Sequence, residues 1–99
     1  METEIRCNRI YKYEDNDTTR EEGRVIIAKG VINLYNVSDY EEYKGDLTKK
    51  ENRPMTLILT EYSLVSEWRI FLIDFEDFHK KMMDFKNWLA RQEGNIKLN

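Results

Sequence analysis

MTLILTEYSLVSEWRIFLIDFEDFHKKMMDFKNWLARQEG, residues 55 to 94, holds two apolar, β-rich segments followed by an amphipathic helix, and that order decides the fold class. In the helix Phe75, Phe78, Met82, Phe85 and Leu89 recur at alternating spacings of three and four, which places five large apolar side chains on one stripe. Such a stripe requires a surface to lie on. Asp74 is suited to the N-cap, Asp77 to the acid of a capping box, and Ile73 with Phe78 to a hydrophobic staple. Acids at 74, 76 and 77 followed by Lys80, Lys81, Lys86 and Arg91 run with the helix dipole. Gly94 is the expected stop, with residues 95 to 99 as a frayed tail.

Ahead of the helix, residues 55 to 62 and 67 to 73 read as an antiparallel pair joined across residues 63 to 66. Leu57 and Leu59 share one face of the first strand. In the second, Trp68, Ile70 and Leu72 lie on one face and Phe71 and Ile73 on the other, the pattern of a central strand covered on both sides at least in part.

Working back towards the N-terminus, residues 3 to 13 alternate as a strand, with Ile5, Cys7, Arg9, Tyr11 and Tyr13 on one face. Residues 14 to 22 carry five acids against Arg20, a local charge of −4, and read as an exposed turn. Residues 24 to 37 are β-branched and apolar, interrupted at Lys29 and Gly30. One long strand bent at Gly30 is preferred to two very short ones. Residues 38 to 54 form the least regular part, read as a long loop with room for a short helical turn. The expected architecture is a single α+β domain over residues 1 to 99: a four- or five-stranded, mostly antiparallel sheet with one C-terminal amphipathic helix packed on one face.

A chain of 99 residues with 35% charged and 40% hydrophobic side chains supports one core, and folding at this size hides roughly 65% of the unfolded chain's surface. No apolar run reaches the length of a membrane span or a secretory core, so the cytoplasm is the expected compartment. Cys7 is the only cysteine, which leaves no intramolecular disulfide.

The catalytic inventory is small. His79 is the one histidine, on the edge of the helix stripe with no partner motif, and Cys7 sits in a strand pattern with no signature around it. A transition-metal site needs several His or Cys ligands, and neither Asp15-Asn16-Asp17 nor the acids from Asp39 to Asp46 follow a calcium-loop spacing. The four glycines, at 23, 30, 45 and 94, make no phosphate-binding loop. The expectation is a non-catalytic protein with no cofactor and no metal.

Two binding readings follow from what remains. Asp39, Tyr40, Glu41, Glu42, Tyr43 and Asp46 place carboxylates and aromatic anchors within eight residues, suited to docking on a basic protein surface in the manner of an inhibitor or regulator. The alternative is a stacking platform for single-stranded nucleic acid, in which Tyr11, Tyr13, Tyr35, Tyr62 and Trp68 share an open sheet face with Arg6, Arg9, Lys12 or Arg24. A net charge of −3 opposes the second reading, because phosphate binding draws on positive charge. Self-association as a homo-oligomer is compatible with either reading.

Overall fold

The computed structural model describes residues 1 to 16 and 21 to 97. Five strands form one antiparallel sheet in the order β2-β1-β5-β4-β3. They are β1 (Glu4–Asn16), β2 (Glu21–Asn33), β3 (Val37–Glu42), β4 (Thr56–Tyr62) and β5 (Val65–Phe71), and the long helix α2 (Phe75–Lys97) follows them. A short helix α1 (Asp46–Glu51) lies between β3 and β4, and a single 3₁₀ turn, Leu34–Asn36, joins β2 to β3. The expected α+β architecture is observed, with five strands.

The hairpin of β4 and β5 is the pair expected from residues 55 to 73. Its register sets Thr56 opposite Phe71, Leu57 opposite Ile70 and Leu59 opposite Trp68. The turn is tighter than expected, since Tyr62 already pairs with Val65 and Ser63 adopts a left-handed φ of 52° between them. Thr56, Ile58 and Thr60 are buried on the face turned to the helix. β5 is central as expected, fully covered on the helix side and partly on the other. Phe71 is buried against the helix, whereas on the opposite face Ile70 is half-buried and Trp68 stays 44% exposed.

Helix α2 begins as its sequence specifies. An Asp74 side-chain oxygen accepts from the Asp77 amide at 3.3 Å, and the Asp74 carbonyl accepts from the Phe78 amide at 3.0 Å. Phe78, Met82 and Phe85 are the buried centre of the stripe and meet Ile5, Ile32, Leu34, Ile58 and Phe71. Leu89 packs at the margin of that cluster, as does Ile73 at the staple position. Gly94 does not stop the helix, which continues to Lys97, so residues 95 to 97 belong to α2 while 98 and 99 lie outside the described residues. No described glycine has the positive φ of a left-handed C-cap, and one glycine inside a helix costs only about 1 kcal/mol relative to alanine.

β2 is one continuous strand through Gly30, as preferred, though it ends at Asn33 and not at Val37. Asn33 caps the 3₁₀ turn by accepting the Tyr35 amide on its side chain at 3.0 Å. At Gly30 the reason for glycine is space, because a Cβ there would stand 3.1 Å from both the Cys7 carbonyl and the Arg9 side chain. In β1 the alternation does not run unbroken from Ile5 to Tyr13. A bulge at Tyr11, where Ile10 pairs with Ile27 and Lys12 with Ile26, resets the faces beyond it. β1 and β2 extend to Asn16 and from Glu21, which shortens the expected acidic turn, and residues 17 to 20 of it lie outside the described residues.

The 3₁₀ turn also reveals how the sheet curves. β2 and β3 are opposite edges, separated by four strand gaps, or about 19 Å in a flat sheet. The chain from Asn33 to Val37 has four Cα steps, a reach of about 15 Å fully extended and less in a helical turn. The sheet must therefore curl strongly around the helix. β1 meets β5 through one register pair, Arg9 with Phe71, and one further hydrogen bond of 2.8 Å from the Leu72 amide to the Asn8 carbonyl.

Candidate functional site

Residues 38 to 54 do not form a loop. Val37–Glu42 is the edge strand β3, paired with β4 from Val37 opposite Thr60 to Glu42 opposite Thr56, with a bulge at Ser38. The reason is tertiary: β4 has an otherwise free edge, and Val37 and Tyr40 can each turn an apolar side chain to the helix from that position. The helical turn expected within this segment is α1, whose Leu47 is buried and whose Asn52 adopts a left-handed φ of 52° ahead of Pro54.

Of the six expected site residues, Asp39, Glu41, Glu42 and Asp46 are exposed. Tyr40 is not an exposed anchor. Its ring faces the helix, 5.0 Å from Phe78 in an edge-to-face contact, and its hydroxyl is hydrogen-bonded to His79 Nδ1 at 2.7 Å. Burial, with the Asp39 carboxylate as a lesser cause, pushes the Tyr40 hydroxyl pKa up. His79 in turn stacks on Phe75, with 5.8 Å between ring centres and 7° between planes. The histidine that lacked a partner in the sequence thus holds an edge tyrosine against the helix.

Asp39 has a backbone role. Its carboxylate accepts the Tyr40 amide at 2.8 Å. The Tyr43 amide donates to Met55 O of the inner neighbour at 3.0 Å, so by the two-residue alternation of an antiparallel ladder the Tyr40 and Glu42 backbones point away from the sheet. Asp39 therefore caps one of the few amides that this edge presents.

Past the end of β3 a shallow recess is lined by Tyr40, Glu41, Glu42 and Tyr43, with Lys44, Gly45, Leu57 and Phe75 around it. The Tyr43 ring lies across Gly45, where an added Cβ would overlap its hydroxyl. Lys44 approaches Glu42 at 4.0 Å with both side chains largely exposed, so this pair contributes little to stability. Carboxylates beside aromatic faces suit a cationic side chain, which gains from both. Asp46 lies on the first turn of α1 and does not line the recess. Phe75 and Gly45 were not singled out as site residues in the sequence, since Phe75 reads there only as a member of the helix stripe.

The residues of the alternative nucleic-acid platform are not gathered on one face. Tyr35 packs edge-on to Phe85 at 4.9 Å, Tyr62 pairs with Val65 on the helix-side register of β4, and Trp68 lies on the opposite face. Tyr11 lies at the β1 bulge beneath the Arg9 guanidinium, 5.3 Å from the ring centre. Tyr13, Lys12 and Arg24 have side chains outside the described residues. Comparisons with protein-family models, curated proteins and solved structures find no match. Among the described residues no three His, Cys, Asp or Glu converge as a metal site, and no helix is long and apolar enough to cross a membrane.

Proposed function

We propose that this protein is a small, non-catalytic interaction module that docks the β3 edge on a basic surface of a larger protein in the cytoplasm, as an inhibitor or regulator of it. The observation that supports this most directly is the recess whose lining includes Glu41, Glu42, Tyr43 and Phe75. A Lys or Arg side chain entering there meets carboxylates for charge and aromatic faces for dispersion and cation–π attraction, the combination that makes an anchor. The exposed Asp39 carboxylate extends the negative field along the strand and speeds encounter with a positive partner.

The test is a titration of the intact protein with Lys- and Arg-rich peptides at low and moderate salt, alongside single-stranded DNA and RNA. Salt-sensitive peptide binding is expected, lost in the Glu41→Lys, Glu42→Lys double variant and weakened in Gly45→Ala, which displaces Tyr43 with the carboxylates kept. Peptide binding that survives both changes, or binding of nucleic acid in place of peptide, overturns the reading.

A further inference from the structure

We infer that the outer edge of β2 is a self-association surface, on which a second copy of this chain adds its own β2 in antiparallel register across a twofold axis. This is independent of the acidic site, which lies on the opposite edge of the sheet. β2 is thirteen residues long, and β1 is the one described strand that pairs with it. An edge strand presents a row of backbone donors and acceptors, and proteins usually guard it by shortness, charge, proline, a bulge or a covering element.

From residue 25 onward β2 lacks these guards. From residue 25 to 33 every residue pairs in turn with β1 and no bulge falls on β2, the extra residue near Tyr11 being in β1. Over the same span the side chains are Val25, Ile26, Ile27, Ala28, Lys29, Gly30, Val31, Ile32 and Asn33, with one charge and no proline. Val31 is 50% exposed and Ile26 is 40% exposed, and they point to opposite faces of the sheet by strand alternation.

A second copy is the occupant that these residues fit. With Lys29 as the single charge, the span offers a charged partner strand almost nothing to match, whereas two identical apolar strands satisfy each other under an isologous twofold. Charge also selects the register. An axis through Lys29 would set the two ammonium groups opposite each other, which is unfavourable. An axis through Ala28 sets Val31 against Val25 of the second copy and Ile27 against the aliphatic stem of its Lys29. In that register Val31 gains a β-branched neighbour on the exposed face of the sheet.

The experiment is sedimentation equilibrium of the full chain over a concentration series, with the Ile26→Lys, Val31→Lys double variant and the Glu41→Lys, Glu42→Lys variant beside it. Dimerisation is expected in the micromolar range, weakened about tenfold or more by the β2 changes and unaltered by the β3 changes. Hydrogen exchange on the unmutated protein removes any dependence on how the variants fold. The amides of residues 25 to 33 are expected to exchange more slowly as concentration rises. A protein that remains monomeric at about 100 µM, a dimer that tolerates both lysines, or β2 exchange that does not depend on concentration overturns the inference.

Discussion

The two edges of this sheet are built in opposite ways. β3 has six residues, a bulge at Ser38, the acids Asp39, Glu41 and Glu42, and an Asp39 carboxylate bonded to the Tyr40 amide. β2 has thirteen residues and, from residue 25 onward, continuous pairing with β1 and a mostly apolar edge whose one charge is Lys29. The charges on β3 discourage strand addition and favour side-chain recognition of a cation, while β2 leaves its backbone open to another strand. On the two proposals above, one sheet carries two surfaces that differ in what they would accept, and the helix-side core is common to both.

The change that should abolish the comparison altogether is Phe78→Ala, because Phe78 is fully buried between α2 and strands from both halves of the sheet. A loss of about 3–5 kcal/mol in denaturant unfolding is expected, and a midpoint equal to that of the unmutated protein would mean that α2 does not hold the two halves together. A narrower break is Thr56→Val. The buried Thr56 hydroxyl donates to Ile73 O at 2.7 Å and ties the start of β4 to the segment that enters α2. Its loss should cost about 1–3 kcal/mol, since valine keeps the shape and leaves the carbonyl without its donor.

Tyr40→Phe addresses the β3 edge by itself. Deleting the hydroxyl that meets His79 should cost about 1 kcal/mol while the ring contacts with Phe78 and Phe75 persist. A chemical-denaturation midpoint unmoved by this change would show that the hydrogen bond to His79 adds nothing to what the β4 ladder and the ring contacts supply.

Cys7 probes the other half through pH. Burial pushes its thiol pKa up from 9.0 to about 11. The folded protein therefore keeps a proton that the unfolded chain releases, so the stability from this group is complete below pH 9 and is lost as pH rises towards 11. The stability difference between the unmutated protein and Cys7→Ala should shrink across that window, and a constant difference would mean that the thiol is open to solvent. The smallest effect is expected at the recess, where Glu41→Lys and Glu42→Lys should each change stability by no more than about 0.5 kcal/mol. A larger loss would make these acids part of the β3 fold and not of its binding surface.

The strand pair from residue 55 to 73 and the helix after it were legible in the sequence because their information is local. Alternation by two, a stripe at three and four, and the Asp74 cap all lie within a few residues of the structures they specify. The acidic character of residues 39 to 46 was legible for the same reason. Their conformation was not, because an edge strand exists only when a distant strand offers it a ladder, and nothing near Asp39 announces β4. The same limit applies to Tyr40 and Phe75. Spacing identifies each as aromatic, but only the curl of the sheet around α2 turns Tyr40 inward to His79 and leaves Phe75 at the recess with Glu41 and Glu42. Tertiary structure alone decided which strands became edges, since strand order depends on contacts between segments far apart in the chain and not on the pattern within any one of them.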